Sequence, residues 1–251
     1  AVVDGKQKRI FGWDVPSNAP EYAAFLRQFL PALVAELEKL GIKENTYFHI
    51  SDEPVKGETR PDYVNYAYGK ELVKPLISGC RLMDALSHVD FFDAGMVECP
   101  VPNNYSVDLF LERQLPERWC YYCCGQGLDV SNRFIAMPSF RTRVMGLQLY
   151  MHDMDGFLQW GFNFYFSRHS EFPIDPYQIT DGNHAWPSGD PFSVYPYENG
   201  AIESLRCVVF YEGLQDKLEF RFMTEVATID RADGGYRLLF AAHRWYDNEL
   251  F

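Results

Sequence analysis

Two acidic side chains stand side by side in Ser51-Asp52-Glu53-Pro54, directly after the β-prone run Thr46-Tyr-Phe-His-Ile50. Neighbouring carboxylates divide acid, base and electrostatic work between them when their surroundings set different protonation states. Pro54 cannot continue a hydrogen-bonded ladder, so a strand over 46–50 is expected to stop there. Within a regular strand Asp52 and Glu53 would face opposite ways. They reach one pocket together only if the strand ends and the chain twists at this point. The same dipeptide also suits a solvated loop, and His49 reads first as a core or hydrogen-bonding histidine. The local pattern leaves catalytic and structural readings open.

The other residues with reactive potential are six cysteines: Cys80, Cys99, Cys120, Cys123, Cys124 and Cys207. Cys120-Tyr-Tyr-Cys123 has a CxxC spacing, but a structural zinc site needs a second ligand pair and none lies at comparable spacing. The segment reads as an apolar strand in which Cys is a small hydrophobe. Neither a metal site nor a cofactor is expected. Aromatic residues are abundant, with 16 Tyr, 20 Phe and 5 Trp. Tyr and Trp join an apolar ring to a polar handle, which suits a ligand with one apolar face and many hydroxyl groups. The net charge of −12 and the lack of a Lys/Arg run argue against a nucleic-acid partner. No run of about 20 apolar residues suggests a membrane span.

These residues need a frame. Phe25, Phe29, Leu30, Leu33, Leu37 and Leu40 recur at helical spacing over 20–41, with Pro31 predicting a kink or break and Gly41 a stop. Further helices are expected over 61–77, 105–113, 139–154 and 201–228. Strands are expected over 46–50, 80–83, 89–97, 119–124 and 157–166, and one more near 10–13. Alternation of strands and helices of this length argues for parallel βαβ units. Residues 171–200 are rich in Pro, Gly, Asp, Asn and aromatics and read as a long irregular segment, a type that is usually functional. The chain is thus expected to be one α/β domain: βα units over 1–170, a long active-site loop over 171–200, and a helix and tail over 201–251. In a barrel, a strand that ends in two acids puts them where catalytic groups gather.

At this point the residues resemble a known family. Thr46-Tyr-Phe-His-Ile-Ser-Asp-Glu-Pro54 is similar to the active-site segment of the glycoside hydrolase family 123 catalytic domain. Three further stretches agree in order and spacing: Trp119-Cys-Tyr-Tyr-Cys-Cys124, Asp155-Gly-Phe-Leu-Gln-Trp-Gly-Phe-Asn163 and Trp186-Pro-Ser-Gly-Asp-Pro-Phe-Ser-Val-Tyr195. Ser204-Leu-Arg206 and Glu212-Gly-Leu-Gln-Asp216 also fit. The resemblance covers roughly 11–222.

The resemblance implies a (β/α)8 TIM-barrel type of fold of which only the C-terminal part is present, because about five or six strand candidates fall short of a full barrel. It implies a retaining β-N-acetylgalactosaminidase in which the substrate's own 2-acetamido oxygen attacks the anomeric carbon. Asp52 would orient and polarise the acetamido N–H, and Glu53 would serve as general acid and then general base. Trp119, Tyr121, Trp160, Asn163, Trp186, Asp190 and Tyr195 would contact the sugar, while Arg143, Arg206 and Asp216 read as structural. The implied partner is a glycan or glycolipid, and a secreted or periplasmic setting is implied as well. Three alternatives stay open: a glycosidase for another sugar, a non-catalytic carbohydrate-binding barrel, and a structural domain with solvated carboxylates.

Overall fold

Leu26, Leu30 and Val34 recur every four residues along helix α1 (Pro20–Lys39), and this stripe packs on Ile77, Cys80 and Leu82. Full burial of such a side chain contributes on the order of 1.5–3 kcal/mol. That packing carries the helix through Pro31, which lies inside it without interrupting it. The computed structural model describes residues 2–12, 14–55, 62–127 and 129–233. The chain divides into two units, Ala1–Trp119 and Cys120–Phe251.

The first unit opens with an antiparallel pair, β1 (Val2–Val3) and β2 (Lys6–Gln7), and residues 10–12 are not in a strand. Its centre is a three-stranded parallel sheet in the order β3 (Tyr47–Phe48), β4 (Arg81–Ala85), β5 (Cys99–Val101). Tyr47 pairs with Arg81 and Phe48 with Leu82, while Met83, Asp84 and Ala85 pair with Cys99, Pro100 and Val101. Helix α2 (Asp62–Val73) joins β3 to β4, the single turn α3 (Asp90–Asp93) joins β4 to β5, and α4 (Asp108–Leu111) comes after. Tyr66, Leu86, Phe91, Met96, Val97 and Phe110 form a second apolar cluster. The βαβαβ order matches the expected parallel units.

One strand assignment is corrected. Residues 89–97 were expected to be extended, but α3 and a tight closure occupy them. Met96 N–H donates to Phe91 O at 2.9 Å and Gly95 N–H to Phe92 O at 2.8 Å, with Gly95 at φ 67°. This is the Schellman closure, which needs a left-handed residue after the helix. The strand itself is Cys99–Val101, whose Pro100 disguised it.

In the second unit β6 (Trp119–Tyr121), which begins at the division, pairs with β7 (Gly156–Leu158). The expected strand over 157–166 is thus cut to its first residues, and beyond them only isolated bridges form, Asn163 with Phe192 and Phe166 with Pro173. Helices α5 (Phe140–Arg143) and α6 (Met145–Met151) fill 139–154. The segment expected to be irregular ends in an antiparallel hairpin, β8 (Val194–Tyr197) with β9 (Gly200–Glu203). The last helix therefore starts later than expected, as α7 (Leu205–Asp233), with the Ser204 hydroxyl accepting from Cys207 N–H at its first turn. The tail over 234–251 lies outside the described residues.

Helices α6 and α7 meet at glycines. A Cβ on Gly146 would lie 1.6 Å from Gly213 O, and one on Gly213 would lie 2.4 Å from Arg143 O. Arg143 clamps the same contact, donating from Nε and Nη2 to the two Asp216 oxygens at 2.7 and 2.9 Å. The structural role expected for both residues is realised here. No closed barrel forms among the described residues. Among them no helix is long and apolar enough to cross a membrane.

Candidate active site

Strand β3 stops after Phe48, and the next residues are held by a side chain instead of a ladder. Asp84, fully buried on β4, accepts from Ile50 N–H at 2.8 Å and Ser51 N–H at 3.0 Å through Oδ1. The same oxygen pairs with His49 Nδ1 at 2.8 Å, and Oδ2 accepts from the Tyr66 hydroxyl at 2.5 Å. Asp52 and Glu53 come next, both exposed, and Pro54 is buried again. The acidic pair therefore lies beyond the C-terminal end of a parallel strand.

Glu53 takes φ 43°, in the left-handed region that a residue with a Cβ rarely adopts. Such backbone costs on the order of 1–3 kcal/mol and persists where its surroundings impose it. The chain has left strand geometry here, so the strict alternation that would point the two carboxylates apart does not apply. Although Glu53 reaches solvent, the protein around it partly desolvates its carboxyl, and this, with the Asp52 charge second, raises it above the ordinary carboxylate value. His49 is raised too, first by its bond to Asp84 and further by the charges of Asp84 and Asp52, against the opposing effect of burial.

At the other end of β3 a separate network forms. The Tyr47 hydroxyl and the Trp119 indole N–H both donate to Glu117 Oε2, at 2.6 and 2.8 Å. Arg81 pairs with Glu117 and lies over the Tyr47 ring. Because Tyr47 and Arg81 open their strands, Trp119 sits at the amino ends of β3 and β4, away from the end that carries Asp52 and Glu53. The structure does not bring Trp119 to the acidic pair.

In the second unit several expected sugar contacts converge. The Trp160 ring lies 5.2 Å from Trp186 and 5.8 Å from Phe164, and Phe164 meets Trp186 edge to face. Trp160 is 37% exposed, so one apolar ring surface stays accessible. Its indole N–H donates to Asp190 Oδ2 at 3.2 Å. Asp190 is itself fully buried beside Arg133, and burial pushes its carboxyl up to about 6 against the pull of the guanidinium. Asp190 thus supports the indole from below the surface. Asn163 is exposed at its bridge to Phe192. Tyr195 packs on Tyr177 and Phe192, and Tyr121 is buried.

A cavity of about 310 Å³ in this unit is walled by Arg133, Phe157, Phe210, Leu214 and Lys217 among others. Trp160, Trp186 and Asp190 do not line it, but Arg133, which pairs with Asp190, does. Cys120 is buried and its thiol pushed up to about 12 by desolvation, which leaves it a packing residue. The six cysteines form no disulfide. Among the described residues no three His, Cys, Asp or Glu side chains cluster as metal ligands.

Sequence reasoning missed Asp84, the residue that organises the turn. Its signal is a lone acid in the otherwise apolar run Leu82-Met-Asp-Ala-Leu86, where only a set of hydrogen-bond donors makes a buried carboxylate tolerable.

Comparison with known proteins agrees with the sequence resemblance. No curated protein matches the chain. Among solved structures, a family 123 glycoside hydrolase from Clostridium perfringens, studied for the hydrolysis of glycolipid glycans, is similar with a TM-score of 0.56 and 18% identity. The similarity covers 87% of this chain and 38% of that one, so the chain spans well under half the length of that structure. The family model for the glycoside hydrolase 123 catalytic domain matches residues 1–223, and the chain belongs to that family.

Proposed function

We propose that the protein is a retaining glycosidase that removes β-linked N-acetylgalactosamine by substrate-assisted catalysis, with Asp52 and Glu53 as its catalytic carboxylates. The observation that carries this reading is the Asp52–Glu53 turn: two adjacent acids past the end of a parallel strand, with Glu53 in left-handed backbone and its carboxyl raised by partial desolvation and by the Asp52 charge. Family membership and the barrel-type βαβαβ order support it. On this reading β3, β4 and β5 of the first unit are neighbouring strands of a (β/α)8 barrel.

In the first half-reaction the substrate's acetamido oxygen attacks the anomeric carbon as the glycosidic bond breaks. Protonated Glu53 gives its proton to the leaving oxygen. Asp52 accepts a hydrogen bond from the acetamido N–H and stabilises the positive charge of the oxazolinium intermediate. Water then adds to the anomeric carbon, Glu53 takes the water's proton, and the acetamido group is restored with net retention. A raised carboxyl is what the first step needs, since the acid must be protonated when the glycoside arrives. Trp160 and Trp186 are read as apolar carbohydrate contacts, Asn163 and Tyr195 as polar ones, and Asp190 as the support of Trp160. Trp119 and Tyr121 are read as packing residues.

The test is hydrolysis of an aryl β-N-acetylgalactosaminide by the intact protein and by Asp52→Asn and Glu53→Gln variants. Loss of Glu53 should lower kcat by about 10²–10⁴-fold, and loss of Asp52 by about 10²–10³-fold. Turnover by both variants at the wild-type rate would overturn the assignment. Equal turnover of a substrate without the acetamido group would overturn the substrate-assisted step alone.

A further inference from the structure

We infer that Asp84 is a positioning residue for the Asp52–Glu53 turn, an inference that rests on the reading of that turn as the catalytic pair. Three successive residues, His49, Ile50 and Ser51, converge on one carboxylate oxygen. In an extended strand successive N–H groups point to opposite sides. Two of them reach a single atom only if the chain bends out of the sheet at Ile50. The β3–β4 ladder ends at Phe48 and Leu82, while β4 runs on to pair Asp84 with Pro100. The Asp84 side chain therefore takes over as the partner of the departing chain and sets the direction in which it leaves.

The consequence falls two residues downstream, where Glu53 holds its left-handed backbone between this anchor and buried Pro54. Tyr66, reaching in from α2, fixes the second oxygen and so the plane of the carboxylate. Core packing gives no reason for an acid at this position. The strand neighbours Leu82, Met83, Ala85 and Leu86 are all buried and apolar. Replacing buried ionic groups by apolar ones of similar volume is often neutral or stabilising, so an acid kept here points to geometry.

The experiment measures kcat, KM and melting temperature for Asp84→Leu, Asp84→Asn and Tyr66→Phe in the intact protein, with Glu53→Gln as reference, on an aryl β-N-acetylgalactosaminide. A displacement of about 1 Å at reacting groups costs roughly 100-fold in rate. Asp84→Leu should therefore lower kcat about 100-fold, and Asp84→Asn, which keeps one acceptor oxygen, about ten-fold, both with KM little changed. Tyr66→Phe should lower kcat by less than Asp84→Asn, again with KM little changed, because the carboxylate it orients is intact but less fixed. A purely structural Asp84 gives lower melting temperatures with kcat of the folded protein unchanged. The inference is overturned if Asp84→Asn and Tyr66→Phe keep wild-type kcat while Glu53→Gln abolishes turnover, whether or not Asp84→Leu folds. Wild-type turnover by Glu53→Gln would instead remove the catalytic reading on which the inference stands.

Discussion

The Trp160 indole N–H donates to the Asp190 carboxylate at 3.2 Å, so that a partly exposed ring is oriented by a wholly buried acid. Asp190 is in turn held beside Arg133, which is 2% exposed, and the pair leaves the Trp160 ring little freedom to turn. In the proposed role as a sugar contact, a ring held in this way would lose little rotamer entropy on binding.

Trp160→Ala should raise KM for the aryl glycoside about ten-fold, equivalent to about 1.4 kcal/mol. Trp160→Phe, which keeps a ring but no N–H, should raise it less, and Asp190→Asn should fall between. Initial-rate kinetics decide the matter, and an unchanged KM in Trp160→Ala removes Trp160 from the sugar contacts.

Glu53 should set the alkaline limb of the pH profile for kcat/KM, at a pH above the ordinary carboxylate value of 4.5. On the proposed mechanism its acid form is the active one, so activity should fall as pH rises through the raised value. Because Asp52 contributes to the shift, the residual activity of Asp52→Asn should show that limb at lower pH. A limb that stays in place would mean that the Asp52 charge does not act on Glu53.

His49 should make stability pH-dependent. Its folded value is raised by Asp84 on β4 and by Asp52, so the folded protein holds a proton that the unfolded chain releases. The contribution is complete below the unfolded value near 6.5 and is lost as pH rises through the folded one. Denaturant melts between pH 6 and 8 should show wild-type stability declining and His49→Gln flatter. Parallel curves would deny that His49 holds this proton.

Gly213→Ala should destabilise the protein by about 1–3 kcal/mol, the usual cost of forcing extra volume into packed structure. An exposed helical glycine gives the opposite result, since alanine favours a helix by about 1 kcal/mol. Here the new methyl would meet Arg143 O at 2.4 Å. A melting temperature equal to or above wild type would show that α5 and α6 move away from α7 at little cost.

Much of the frame was legible because it is written in local periodicity. The extent of α1, the apolar β4 segment and a strand ending before Asp-Glu-Pro each depend on residues within a turn or a strand of one another. The buried stripe of α1 was not legible in the same way: Phe25, Phe29 and Leu40 of the expected set are exposed, and the residues that face the core are Leu26, Leu30 and Val34. Residues 89–97 misled because their apolar run is a helical turn closed by Gly95, a difference that hydrogen bonds decide and hydrophobicity does not. Residues 171–203 misled because the β8–β9 hairpin includes Pro196 and exposed polar positions that lack a strand's usual alternation.

What the amino-acid order determined by itself was the family, the parallel βα succession and the position of two adjacent acids after a strand. These depend on residue types at short spacing. The tertiary structure decided how those acids are held. Asp84 lies 31 to 35 positions along the chain from His49, Ile50, Ser51, Asp52 and Glu53, and only the pairing of β3 with β4 brings it under the turn. Folding likewise sets Trp119 edge to face against Tyr47, with Glu117 accepting from both, at the end of β3 opposite to Asp52 and Glu53. The physical reason is that a carboxylate's role depends on which donors surround it, and those donors come from segments the chain brings together only by folding.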